Sequence, residues 1–254
     1  MQNVWGLHIK SVLVESILRK RQILQTGAVQ HTYLRGRHYP WRERGRSAYE
    51  VLIAETLLRR TTSGAVSRVY EKFLGKFPSL EHLRRTNKRQ LVQALLGVGL
   101  QEQRYVLLKE MSRYLLDVEG GVVPGDLARL LRIPGIGQYG ARAMLTFHFD
   151  TAAAVVDSNV GRVLQRVFLD SLEGCGNQQL VQKVADMLLP TEGHREFNFG
   201  MLDIGAIVCR PVSPRCGDCP LSTACDYNQD GVERLRKGTR GLGRRGIDGI
   251  RIRA

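Results

Sequence analysis

Long apolar runs are missing from this 254-residue sequence. A membrane-spanning helix needs about 20 predominantly apolar residues in a row, and no stretch here qualifies. No signal peptide with a small-residue cleavage site is visible either. The best N-terminal candidate, residues 12–18, is short and broken by Glu15 and Ser16. The expected location is the cytoplasm. Convincing strand alternation is also missing: Ala154-Val155-Val156 could pass for a strand but lies in a helical context. Acidic residues are scarce, 24 Asp and Glu against 38 Lys and Arg, for a net charge of +14. A polyanionic partner is the simplest account, because neutralising phosphates releases counterions and gives affinity without base reading. The alternatives are a basic soluble surface or, more weakly, a membrane surface, for which no basic amphipathic helix stands out.

Four cysteines are the most informative residues present. Cys209, Cys216, Cys219 and Cys225 form a C-x6-C-x2-C-x5-C run. One compact loop with uneven spacing suits a [4Fe–4S] cluster better than the paired C-x2-C knuckles of a structural zinc. Zinc and unrelated buried thiols are the alternatives. Thiolate ligation argues for a reducing compartment rather than a disulfide framework. Cys175 stands alone and reads as a small buried hydrophobe.

The remaining pattern is helical. Apolar residues recur at helical spacing through residues 47–77, with Ser47 and Glu50 placed as a capping box. Asn87 with Gln90 repeats the device. Residues 105–116 form another helix, ended by Gly120-Gly121, and Asp126 caps the helix holding Leu127, Leu130 and Leu131. The fold class is all-α. A helix then ends at Ile133-Pro134-Gly135-Ile136-Gly137-Gln138-Tyr139-Gly140 and another begins. The glycines allow positive φ and close approach of a ligand. Unpaired N–H groups at a helix N-terminus favour an anion there. The arrangement suits a grip on one DNA phosphate; the plain alternative is a helix–helix connection. About twenty residues on, Asp157 in Val155-Val156-Asp157-Ser158-Asn159-Val160-Gly161-Arg162 opens a helix and reads, alone, as an N-cap.

Hairpin, aspartate and four-cysteine loop, in this order and spacing, resemble the helix-hairpin-helix, iron–sulfur class of DNA base-excision glycosylases. The class includes endonuclease III, the adenine glycosylase MutY and a thymine-DNA glycosylase acting on T·G mismatches. The resemblance covers residues 39–225. It implies a two-domain fold: a six-helix barrel domain with the hairpin at residues 46–151, and a [4Fe–4S] domain from both chain ends, residues 1–45 and 152–226. It also implies double-stranded DNA lying across both domains, with a mismatched or damaged base flipped out, and a nucleoid-associated monomer.

Within the class, endonuclease III-like lyases place a catalytic lysine where Tyr139 stands, and no lysine occurs between Ile133 and Asp157. A neutral tyrosine forms no Schiff base, so strand cleavage should be weak or absent. MutY-like enzymes usually carry serine there, and two glutamines in place of Arg59 and Arg60. Tyr139 and the run Glu55-Thr56-Leu57-Leu58-Arg59-Arg60-Thr61-Thr62 resemble the mismatch-specific thymine-DNA glycosylases. His38-Tyr39-Pro40-Trp41-Arg42 resembles the segment leading into the first barrel helix. About thirty residues follow Cys225, too few for the 8-oxoguanine-recognising domain of MutY-like proteins.

The resemblance assigns roles that chemistry supports. Hydrolysis of an N-glycosidic bond passes through an oxocarbenium-like sugar, which the Asp157 carboxylate would stabilise while orienting water. Tyr139 would line the pocket. Glu55, matching a glutamate that protonates adenine in MutY-like enzymes, would hydrogen-bond the pyrimidine edge; otherwise it is a glutamate on the polar face of an amphipathic helix. Gly135 and Gly137 would hold the phosphate. Arg59 and Arg60 would enter the vacated stack or contact the widowed guanine. Leu100 is placed like the family's wedge residue. Arg210 and Arg215 in the cysteine loop would grip phosphates. Residues 227–254, with eight Lys and Arg against three acids, read as a loosely ordered, DNA-touching tail. The expected activity is monofunctional removal of thymine, and uracil, opposite guanine. Adenine excision from A·8-oxoG or A·G and a non-catalytic damage sensor are the alternatives.

Overall fold

The computed structural model describes residues 11–172 and 177–230. Cys175 and nearly all of the basic tail therefore lie outside the described residues. No strand occurs among those described, and the fold is all-helical. The helices are α1 Ser11–Arg35, α2 Ala48–Leu58, α3 Ser63–Lys76, α4 Leu80–Arg85, α5 Lys88–Ala94, α6 Gln101–Asp117, α7 Leu127–Leu130, α8 Gln138–Phe147, α9 Ser158–Val167, α10 Leu169–Leu172, α11 Gln178–Leu188 and α12 His194–Asp203. A π-helical turn, Ile204–Val208, extends α12.

The chain divides into two compact units. One spans His38–Ala153 and holds α2 to α8. Its centre is α2, in which every residue from Val51 to Leu57 is buried. A helix buried on all sides must be enclosed by others, and α3 and α8 pack against it. Ser47 and Glu50 form the reciprocal capping box that starts α2. Asn87 caps α5 by accepting from the Gln90 N–H, and Asp126 caps α7. The apolar pattern of residues 47–77 resolves into two helices, α2 and α3. It breaks at residues 59–62, where Arg60 adopts a left-handed φ of 53°. Trp41 is buried in this unit's core, edge-on to Tyr70. That contact draws residues 38–45 into the barrel unit, whereas the sequence reading grouped them with the other.

The second unit is built from both chain ends, residues up to Arg37 and from Ala154 onward. Helix α1 lies along α12 and α11. The approach is tight: a Cβ on Gly200 would collide with the Ala28 carbonyl, and one on Gly27 would sit 3.0 Å from Pro220 O. Polar groups register the two ends. The Arg37 N–H and Nε–H both donate to the fully buried Asp203 carboxylate, at 2.8 and 2.7 Å. Lys20 donates to Val167 O at 2.7 Å and pairs with Asp226.

Candidate active site

The hairpin follows α7. The Ile136 N–H donates to Ile133 O at 3.0 Å, closing the turn. Gly135 takes φ +82°, and a Cβ there would collide with Leu107 and crowd Arg59 Nη1 at 2.9 Å. Only glycine fits. Gly137 differs from the expectation of positive φ: it is extended at φ −99°, and a Cβ on it would meet nothing within 4 Å. It is the N-cap of α8, and no side chain caps the helix. The α8 N-terminus thus has no side-chain cap, and the space in front of Gly137 is open. An anion fits both conditions. Tyr139 is the second residue of α8 and is half-buried.

Asp157 caps α9, as its type and position suggest. Its Oδ1 accepts the Val160 N–H at 2.8 Å and its Oδ2 accepts from Asn159 Nδ2 at 2.9 Å. One donor on each oxygen leaves lone pairs available, and the side chain is only half-buried. Asn159 is itself oriented: Arg162 Nη2 donates to its Oδ1 at 2.9 Å and to Gly205 O at 2.7 Å. That leaves the amide nitrogen for Asp157.

Glu55 does not lie on a solvent-facing polar stripe. It is 6% exposed, in the fully buried run of α2. Glutamate is rarely buried, which separates Glu55 from an ordinary surface residue. Arg59, at the end of α2, donates from Nη1 to Gly135 O at 2.8 Å and so ties that helix to the hairpin. Arg60 is exposed in its left-handed turn. Leu100 is 40% exposed and also left-handed, at φ 51°, just before α6.

The cysteine loop closes on itself. Cys209, Cys216, Cys219 and Cys225 all line one cavity, with Arg166, Arg215 and Tyr227. None is in a disulfide. Burial pushes the Cys219 and Cys225 thiols up to about 11. The buried Arg166 guanidinium donates to Arg210 O at 2.7 Å and Pro211 O at 2.9 Å, with Nη1 3.4 Å from Cys209 Sγ. Four sulfurs around one cavity, with a cation against one of them, fit a thiolate-bound group. Among the described residues, no three Cys, His, Asp or Glu side chains form a single-ion site. Arg215 is exposed, and Arg210 donates to Ser213 O in its own loop.

The sequence profile of the HhH-GPD superfamily base excision DNA repair protein family matches residues 53–185. The chain belongs to this family. The matched segment contains Glu55, the hairpin and Asp157, and stops before the four cysteines. Among HhH-GPD relatives, the thymine/uracil-DNA glycosylase of Methanothermobacter thermautotrophicus is 36% identical over 210 residues, 82% of this chain and 95% of that one. The adenine DNA glycosylase of Mycolicibacterium smegmatis is 32% identical over 186 residues, 73% of this chain and 63% of that one. The solved structure of a thermostable thymine-DNA glycosylase matches with a TM-score of 0.81 and 35% identity, over 85% of this chain and 99% of that one.

Within the HhH-GPD frame, sequence reasoning passed over Asn159, Arg162, Arg166 and Arg104. Asn159 and Arg162 fall two and five residues after Asp157, inside a motif already singled out. Arg166 and Arg104 left no signal, because an arginine's type does not reveal that it is 3% exposed.

Proposed function

We propose that the protein is a monofunctional DNA glycosylase that hydrolyses the N-glycosidic bond of thymine, and of uracil, mispaired with guanine. The observation that carries this reading is the likeness to a thymine/uracil-DNA glycosylase along 95% of that protein's length. Tyr139 in place of a lysine supports the absence of lyase chemistry.

In this reading the duplex, held by its phosphates, presents one flipped nucleotide. The N–H groups at the start of α8 take a phosphate, with Gly137 leaving room for it. The Asp157 carboxylate, held in place by the Val160 N–H and the Asn159 amide, stabilises the oxocarbenium-like sugar and orients water. Glu55 hydrogen-bonds the pyrimidine edge, and Tyr139 packs against base or sugar. Leu100 fills the vacated stack, and Arg59 and Arg60 approach the widowed guanine. Cys209, Cys216, Cys219 and Cys225 would hold a [4Fe–4S] cluster, which supplies a cross-link of their loop; hydrolysis needs no electrons from it. Arg215, exposed on that loop, and Arg210 would contact phosphates.

The test is a panel of duplexes carrying T·G, U·G, A·8-oxoG and matched pairs, each incubated with the protein and then cleaved at abasic sites by alkali. Alkali-dependent cleavage at T·G and U·G is expected. The 32% identity to an adenine DNA glycosylase supports a second reading. Cleavage confined to A·8-oxoG would establish that reading instead, and no cleavage of any duplex would leave a binding protein.

A further inference from the structure

Arg104 has no place in the chemistry above, yet its buried guanidinium makes four hydrogen bonds within the barrel unit. It lies one turn into α6 and is 3% exposed. Its Nε–H donates to Gly99 O at 2.9 Å, Nη1 to Thr56 O at 2.6 Å, and Nη2 to Arg59 O at 2.6 Å and Thr61 Oγ1 at 2.7 Å. Every acceptor is neutral. A guanidinium carries five donors in a rigid fork, and here they span two separate pieces of backbone. Thr56 and Arg59 supply carbonyls from the end of α2, where helix geometry leaves carbonyls without partners and favours a cation. Gly99 supplies a carbonyl from the loop that presents Leu100. Thr61, which accepts from Arg104, donates onward to Val98 O at 2.6 Å, in the same loop.

That loop is conformationally unusual. Gly97, Gly99 and Leu100 all have positive φ, at 94°, 73° and 51°. For leucine this region is disfavoured and persists only where neighbouring structure enforces it. The Arg104 backbone N–H and side chain supply that enforcement, at Leu100 O (2.9 Å) and Gly99 O. Through the Arg59 carbonyl the same fork reaches the residue whose side chain holds Gly135.

We propose that Arg104 is the positioning residue for base flipping: it locks the loop of Leu100 in its outward, left-handed form and registers it to Arg59 before DNA arrives. A loop already fixed loses less conformational freedom on insertion. This inference rests on the reading of Leu100 as the wedge.

The test compares the parent with Leu100→Ala, Arg104→Met, Arg104→Lys and the double variant Arg104→Lys/Leu100→Ala, in the full-length protein. Flipping is read from 2-aminopurine fluorescence beside a T·G pair, excision from single-turnover thymine release, and folding from thermal unfolding. Arg104→Lys keeps the charge and loses the fork, and it carries the test where Arg104→Met does not fold. Flipping and excision by Arg104→Lys should fall between about ten- and a hundredfold, while affinity for matched duplex holds. In the Leu100→Ala background the same change should cost little more, because both act through one wedge. Additive losses would reduce Arg104 to a general structural role and overturn the proposal. So would parental flipping in Arg104→Lys alongside impaired flipping in Leu100→Ala, which leaves the wedge reading intact. Parental flipping in Leu100→Ala removes the wedge reading itself, and the proposal with it.

Discussion

At the scale of single residues, Asp157 does two jobs with one carboxylate. As N-cap it needs an oxygen acceptor; as stabiliser of a sugar cation it needs a negative charge. Asn supplies the first and not the second, and ranks with Asp as an N-cap. Asp157→Asn should therefore unfold within about 1 kcal/mol of the parent while thymine release falls by at least about a hundredfold. Thermal unfolding and single-turnover excision measure the two separately, and near-normal turnover would remove Asp157 from the mechanism. The hairpin glycines separate in the same way. Gly135→Ala puts a Cβ into Leu107 at a left-handed φ, and should destabilise by about 1–3 kcal/mol. Gly137→Ala meets only open space, so its stability cost should stay below about 1 kcal/mol. Its affinity should fall alike for matched and mismatched duplexes, since phosphate contacts position without specifying. A loss confined to mismatched DNA would refute the phosphate grip. The sequence marked both glycines but not which was sterically required. That distinction lies in Leu107 and Arg59, which are remote from the hairpin in sequence.

At the scale of elements, starts were more legible than stops. The Ser47–Glu50 capping box and the Asp126 cap are local chemistry, written within four residues, and the helices begin where those residues say. The break between α2 and α3 is written locally on one side only: Thr62 caps α3 by accepting the Ala65 N–H, while nothing local marks the end of α2. No Gly or Pro marks residues 59–62; the turn is held by Arg104, 45 residues from Arg59. Helix α8 carries the prediction that belongs to this scale. Tyr139 lies in its first turn, where the helix dipole disfavours a cation. A lysine placed there would have a depressed pKa and a larger fraction of free amine. Tyr139→Lys should convert base release alone into base release with strand nicking. Borohydride should trap a covalent adduct between the variant and T·G duplex, and little from the parent. Efficient trapping by the parent would mean that another lysine is the nucleophile. Normal excision by a variant that never traps would mean that position 139 does not meet the sugar.

At the scale of the molecule, the unit made from both chain ends depends on contacts between residues far apart in sequence: Arg37 with Asp203, 166 apart, and Lys20 with Val167 and Asp226, 147 and 206 apart. No local pattern announces such pairs. The cysteine spacing was legible; the buried Arg166 that knits Arg210, Pro211 and Cys209 together was not. This organisation makes the metal assignment a statement about folding as well as composition. The loop from Cys209 to Cys225 has little regular structure, only two single 3₁₀ turns. Its four cysteines line one cavity. A group bound by all four would supply the missing cross-links. The purified protein should therefore absorb broadly at roughly 400 nm, as thiolate-ligated iron–sulfur clusters do. Cys219→Ser should lose that absorbance and, in the same preparation, cooperative unfolding of this unit. Gly137→Ala, remote from the loop in sequence, should keep both. A colourless, active protein with stoichiometric zinc would overturn the cluster while leaving the glycosylase reading in place. A Cys219→Ser variant that stays folded and active without metal would show that the loop needs no bound group at all.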